Sequence, residues 1–152
     1  ITLPEVAQSM ILTRLEGGRT PMPDRENVRA FAAHGTTMAL YLSAARNKQL
    51  QEALLEGGYD PETPCIIGYQ VTWPEEQLWR VPLRDLSATM REHKLWKHTI
   101  VLVGPALAEG PAARRSHLYH PGFGHGYRAA DKEAVDDLRR HGAVNYTLGD
   151  KE

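Results

Sequence analysis

Residues 115–128, RSHLYHPGFGHGYR, hold three histidines, and clustered histidines can bind a metal ion. His117 and His120 are three positions apart and could share one face of a helix, but the proline and glycine that follow would end a helix there. His125 stands between two glycines with no carboxylate beside it. No cysteine is near, whereas a structural zinc ion takes four ligands that usually include cysteine. The spacing therefore predicts no metal site.

Arginines near the same stretch offer a different chemistry, the recognition of anions. Arg115 and Arg128 bracket residues 115–128, while Arg14 precedes and Arg19 lies within a loop rich in glycine and proline. A planar guanidinium binds a carboxylate through two parallel hydrogen bonds, so these four arginines are candidates for holding an anionic ligand. For each of them a solvated surface role stays open.

The composition narrows the class of protein. A chain of 152 residues, 24% of them charged and 41% hydrophobic, is typical of one soluble domain with a proper core. The net charge of -1 argues against nucleic acid as a partner, and the apolar runs are too short to span a membrane. We expect Cys65, the only cysteine, to fill core space. A chain without an internal disulfide fits the cytoplasm.

The elements that must position these residues follow from the hydrophobic period, which alternates between strand and helix values and predicts an α/β fold. Because a strand, a helix and a strand in succession usually form a right-handed crossover, we expect a three-layer domain with a mostly parallel mixed sheet. We expect it to span residues 1–128, followed by an extension, 129–152, with a short helix over 131–140. The predicted strands cover 9–15, 37–42, 65–72, 77–81 and 98–103, and the predicted helices cover 25–34, 44–56 and 82–93, with Asp24 and Ser43 as caps of the first two.

In an open α/β sheet a ligand usually binds in the crevice beyond the carboxyl ends of the strands. We expect those ends at residues 42–44, 70–73 and 103–105. Neither G-x-G-x-x-G nor a P-loop is present, so the chain by itself offers no phosphate cradle.

Several segments taken in order carry a resemblance to a known family. LPEVAQSMILTR, GRTPMP, AAHGTTMALYLSA, TWPEE, TIVLVGPAL and RSHLYHPGFGHGYR run through residues 3–128. Together they resemble the C-terminal domain of the precorrin-4 and cobalt-precorrin-4 C(11)-methyltransferases, which belong to the tetrapyrrole methylases. The resemblance implies a cytoplasmic enzyme of cobalamin synthesis. It would use S-adenosylmethionine to methylate carbon 11 of an anionic tetrapyrrole, and the resemblance leaves open whether that substrate already holds cobalt.

The resemblance also implies roles for single residues. Leu42 and Val71 match positions that contact the cofactor, although the family usually has alanine where this chain has Val71. Of the histidines in 115–128, His125 recurs in the family, so it is the one we expect to contact the substrate together with the arginines. The identity of a general base stays unknown.

The family's N-terminal domain carries a Gly-rich loop and the segments G-D-P and P-G-V-S-S, which are absent from this sequence. We therefore expect a C-terminal domain that alone has half a cofactor site and little or no activity. Two alternatives stay open, a non-catalytic domain that binds a tetrapyrrole or a nucleotide, and a homodimer formed through the surface that the other domain would cover.

Overall fold

The computed structural model describes residues 1–4, 6–17, 20–108, 121–124, 126–132 and 134–136. In the described part of residues 1–108, five strands and three α-helices follow one another, with a short 3-10 turn before the second helix, before the third helix and after the last strand. In chain order they are β1 (Met10–Arg14), α1 (Val28–Ala32), β2 (Thr37–Tyr41), α2 (Asn47–Glu56), β3 (Pro64–Tyr69), β4 (Gln77–Pro82), α3 (Leu86–Glu92) and β5 (Thr99–Val103). The α/β class predicted from the sequence is confirmed.

The five strands form one mixed sheet in the order β1-β2-β5-β3-β4. Only β1 and β2 are parallel neighbours, and the other three neighbouring pairs are antiparallel, so the prediction of a mostly parallel sheet is wrong. The physical reason is that the crossover from β2 to β3 and the crossover from β4 to β5 interleave in the sheet. Strands joined by a helix do run in the same direction, as predicted, but β5 lies between β2 and β3, and β3 lies between β4 and β5.

One face of the sheet carries the core. Side chains alternate between the two faces of a strand, and the residues of every second position, such as Met38, Leu40 and Ile67, pack in one buried cluster with all three helices. Within the described residues the helices therefore form a single layer, and they do not supply the second helical layer that the three-layer prediction requires. The opposite face is open in part, since Leu12 and Leu78 are 64% and 59% exposed.

The helices pack closely with one another. A Cβ atom at Gly57, which ends α2, would lie only 2.4 Å from the Cβ atom of Ala32 in α1, so glycine allows the close approach of the two helices. Between α2 and α3, the buried Ser87 hydroxyl hydrogen-bonds Asn47 Oδ1 at 2.8 Å, and the Ser87 N–H donates to Gln51 Oε1 at 2.7 Å. These bonds satisfy polar groups that burial would otherwise destabilise.

Two helix starts differ from the prediction. Asn27, and not Asp24, caps α1, because its Oδ1 accepts the Ala30 N–H at 2.7 Å, while its amide donates to the Asp24 carbonyl. Ser43 makes no side-chain cap bond. Its hydroxyl donates to the Tyr41 carbonyl and accepts the Leu15 N–H, each at 2.8 Å, and so ties the end of β1 to the end of β2.

The chain divides into two units. The first consists of residues 1–2 and 6–108 and contains the sheet and the three α-helices. The second consists of residues 3–5 and 109–152, of which residues 132 and 134–136 are helical. Of the other residues in the helix predicted over 131–140, Asp131 is not helical, and residues 133 and 137–140 lie outside the described residues. In the part of the chain that the structure describes, no helix has the length and apolar character to cross a bilayer.

Candidate functional site

A cavity of about 640 Å³ opens at one edge of the sheet. The carboxyl ends of β2 and β3 meet the amino end of β5 at this edge, because β5 runs antiparallel to both. The cavity continues onto the open face of the sheet, to which Gly68 and Ile100 belong. It is lined by Tyr41, Leu42, Ala44, Ala45, Gly68, Gln70, Val71, Trp73, Trp96, Lys97, His98, Thr99 and Ile100.

Two of the three strand ends that we expected at a ligand crevice line this cavity, the first through Leu42 and Ala44 and the second through Gln70, Val71 and Trp73. The third, Val103-Gly104-Pro105, does not, because the reversed direction of β5 carries it to the opposite edge of the sheet. Residues 96–99, before and at the start of β5, take its place.

The backbone around the cavity is strained. Leu42, Gln70 and His98 have φ angles of 50°, 46° and 53°, in the left-handed region that costs an ordinary residue about 1–2 kcal/mol. Hydrogen bonds hold part of this conformation: the Gln70 N–H donates to the His98 carbonyl, and the Trp73 N–H donates to the Gln70 carbonyl, each at 2.9 Å. Strain of this kind is concentrated at ligand sites, so the observation favours the cavity as a functional site.

Leu42 and Val71, the two predicted cofactor contacts, both line the cavity. Leu42 is 82% exposed and Val71 is 42% exposed, so neither is the strand core residue that a hydrophobic pattern alone would indicate. Val71 Cγ2 lies only 2.7 Å from the place where a Cβ atom at Gly68 would be. Val71 and Gly68 therefore set the depth of this part of the cavity together. The contact with a cofactor stays a prediction.

Aromatic side chains make up another part of the lining. The rings of Trp73 and His98 lie 5.3 Å apart between centroids, inclined by 40°. Trp96 is half-exposed into the same cavity. Sequence reasoning placed Trp73 beside the pocket but missed Trp96 and His98, since it assumed that β5 contributes its carboxyl end. The available signal was a tryptophan within the polar run His93-Lys94-Leu95-Trp96-Lys97-His98, where no helical or strand pattern requires one.

Arg14, predicted to bind substrate, holds the loop that follows β1. Its guanidinium donates to the carbonyl oxygens of Thr20 and Pro21, at 3.1 and 3.4 Å. Arg46 supports the start of the same loop by donating to the Leu15 carbonyl at 3.0 Å. Arg19 lies outside the described residues.

The stretch 115–128 is described only in part, since Arg115 and His125 lie outside the described residues, as do His117 and His120. Arg128 donates to the Phe123 carbonyl at 2.9 Å. Wherever the structure describes the chain, no three His, Cys, Asp or Glu side chains converge as metal ligands would.

The groups with raised pKa values belong to the core. Burial raises the pKa of the Cys65 thiol from 9.0 to about 12, and the thiol donates to the Thr63 carbonyl at 3.8 Å. Burial also raises the pKa of Tyr59 from 10.0 to about 12, and its hydroxyl donates to the Thr36 carbonyl. Both groups stay neutral near pH 7, and the prediction that Cys65 fills core space is confirmed.

The fold and the cavity define the class of protein as an α/β domain with an apolar cavity at the carboxyl ends of two strands. Residues 1–87, more than half of the chain, match the family model of the tetrapyrrole (corrin/porphyrin) methylases. The chain belongs to this family.

Similar proteins agree with this assignment. The cobalt-precorrin-4 C(11)-methyltransferase of Methanocaldococcus jannaschii is 38% identical over 133 residues, which cover 88% of this chain and 51% of the relative. The enzyme of the same name from Priestia megaterium is 37% identical over 134 residues, 87% of this chain and 52% of the relative.

The X-ray structure of a cobalt precorrin-4 methyltransferase, described as a cobalamin biosynthetic enzyme, superimposes with a TM-score of 0.68 at 37% identity. The match covers 71% of this chain and 45% of that one. The chain thus spans about half the length of the curated relatives it matches.

Proposed function

We propose that this chain is the C-terminal domain of a cytoplasmic methyltransferase of cobalamin synthesis, which methylates carbon 11 of precorrin-4 or cobalt-precorrin-4. The names of the relatives at 37–38% identity support the reaction. The single observation that carries the proposal within the structure is the apolar cavity at the carboxyl ends of β2 and β3, with its strained backbone at Leu42 and Gln70.

The methyl donor would be S-adenosylmethionine, which supplies an activated methyl group on a sulfonium. We assign its adenosyl part to the cavity, where Leu42 and Val71 offer exposed apolar surface. Methyl transfer to carbon requires alignment of the two reactants and exclusion of water, so the domain contributes by positioning. The left-handed residues at the cavity fit such a role, because a fixed backbone loses little freedom when a ligand binds.

The methyl acceptor is a large macrocycle edged with carboxylates. We assign its recognition to Arg14, Arg19, Arg115 and Arg128 together with His125. Arg14 already donates to two backbone carbonyls through one terminal nitrogen, and a guanidinium has five N–H donors, so Arg14 can hold its loop and keep donors for a carboxylate.

Replacement of Arg115 and Arg128 by alanine tests this assignment. We expect the KM for the tetrapyrrole to rise more than the KM for S-adenosylmethionine, because the proposal assigns these guanidinium groups to the carboxylates of the acceptor. Equal KM values before and after replacement would leave these arginines with a structural role alone.

We further propose that the chain by itself has half of the cofactor site and negligible turnover. The support is its span, about half of the relatives, and its resemblance to the domain that lacks the Gly-rich loop of the family. Calorimetry tests the idea: tight binding of S-adenosylmethionine by this chain as a monomer contradicts it.

The decisive assay for the reaction uses the full-length protein with S-adenosylmethionine labelled in the methyl group and with precorrin-4 or its cobalt form. Label transferred to the macrocycle supports the enzyme and shows which form is the substrate. Cofactor that binds without transfer instead supports the non-catalytic binding domain.

A further inference from the structure

We propose that Trp96 is a further ligand-binding residue, which packs its ring against the planar heteroaromatic ring of a nucleoside bound in the cavity. The inference rests on the proposed function, in which that ring is the adenine of the methyl donor. It assigns a role to the segment between α3 and β5.

The first support is the position of the side chain. Trp96 lines the cavity, yet it is 47% exposed, while its neighbour Leu95 is only 3% exposed. A large indole gains most when its apolar surface leaves water, so a half-exposed tryptophan in a concave apolar site is suited to cover a ligand.

The second support is the backbone, which holds Trp96 in this position from both sides. Lys94 and His98, two residues before and two after, have φ angles of 55° and 53°. The Leu95 N–H donates to the Met90 carbonyl at 2.9 Å, which fixes the segment to the end of α3. On the other side the His98 carbonyl accepts the Gln70 N–H from the end of β3. Two left-handed residues in five positions are costly, and here they direct the indole towards the cavity instead of the core.

The third support is the kind of side chains that line the cavity together with Trp96. Trp73 and His98 form a ring pair in the same cavity, and most of the remaining lining is apolar. Flat aromatic walls with few charges select a flat, weakly polar ring, since stacking on an aromatic side chain needs no particular hydrogen-bond pattern. A nucleoside base meets this description.

The three tryptophans of the chain allow a direct test, because each has one indole N–H signal in an NMR spectrum. Trp79 serves as the matched control, since it packs against the core and its ring contacts His93 at 4.8 Å, outside the cavity lining. In the full-length protein, W73F, W79F and W96F each delete one signal and thereby assign it. Titration with S-adenosylhomocysteine is expected to shift the signals of Trp73 and Trp96 and to leave that of Trp79 in place.

Affinity gives the second readout. Loss of a base-stacking partner by alanine substitution weakens binding by roughly 5-fold to 150-fold, and we expect W96A to raise the Kd for S-adenosylhomocysteine within this range while W79F changes it little. Binding by the wild type with an unmoved Trp96 signal and an unchanged Kd in W96A overturns the inference alone. A wild-type protein that shows no binding at millimolar concentrations overturns the proposed function and the inference with it.

Discussion

The contact between Gly68 and Val71 gives a quantitative prediction about the cavity. A methyl group added by Gly68→Ala would lie 2.7 Å from Val71 Cγ2 and 3.2 Å from Ile100 Cγ2. Carbon atoms are best separated by about 3.5–4.0 Å, so the first contact is too short by about 1 Å and the second by a few tenths. Overpacking of this size costs about 1–3 kcal/mol. The backbone of Gly68 itself permits alanine, because its φ is not in the left-handed region.

The double variant decides whether Val71 is the cause. Val71→Ala removes the atom at 2.7 Å and leaves only the milder contact with Ile100, so adding Gly68→Ala in that background should cost less than about 1 kcal/mol. The expected coupling between the two positions is therefore about 1–2 kcal/mol, which lies within the range for residues in contact. Unfolding in urea of the four proteins measures it, since 2 kcal/mol moves the midpoint by about 1 M.

Gly126→Ala is the matched control, because a Cβ atom there meets nothing within 4 Å. It should change the free energy of unfolding by less than about 0.5 kcal/mol. A cost of Gly68→Ala no larger than that of this control contradicts a steric clash with Val71, and so do effects of Gly68→Ala and Val71→Ala that are additive within about 0.5 kcal/mol. For function, Gly68→Ala should weaken binding of S-adenosylhomocysteine, while Val71→Ala deepens the cavity and should retain it.

Three further predictions concern the framework around the site. Gly57→Ala should lower the free energy of unfolding by about 3 kcal/mol, since its Cβ atom would lie 2.6 Å from a backbone carbonyl oxygen of α1; a change below about 1 kcal/mol in urea unfolding contradicts this. Folding raises the pKa of Cys65 and the pKa of Tyr59 to about 12. The resulting contribution to stability is therefore fully present below pH 9 for Cys65 and below pH 10 for Tyr59. That stability should decline by about 1.4 kcal/mol per pH unit for each group as the pH rises towards 12, and Cys65→Ala should remove its own share of the slope. Arg14→Ala should speed tryptic cleavage in the loop at residues 17–21 by roughly 2-fold to 10-fold, because two hydrogen bonds to that loop are lost; an unchanged rate means that other contacts hold it.

Local patterns predicted the elements well. The hydrophobic period located all five strands, and the helix predicted over 44–56 ends at Glu56, as α2 does. The direction of helix-linked strands was also predictable, because a helical crossover returns the chain to the same edge. The capping residue of α1 was harder to predict, because Asp24 and Asn27 both suit the start of a helix. A turn in which the Glu26 N–H donates to the Pro23 carbonyl delays the helix, so that Asn27 caps it.

The sequence predicted those residues of the site that lie beyond the carboxyl end of a single strand. Leu42 and Val71 were found through the family resemblance and the carboxyl-end rule, and both line the cavity. Trp96 and His98 were missed, since they reach the cavity only because β5 enters the sheet antiparallel, a pairing between segments about sixty residues apart along the chain.

The sequence by itself determined the α/β class, the family and the two strand ends that line the cavity, because periodicity, turn residues and motif order are local properties of the chain. Only the tertiary structure decided the order of the strands. A strand inserted between two others satisfies the same hydrophobic pattern as a strand added at an edge, so the pattern leaves both open. Because β5 is inserted antiparallel between β2 and β3, its amino end lies at the cavity in place of its carboxyl end. This arrangement brings Trp96 into one cavity with Leu42 and Val71.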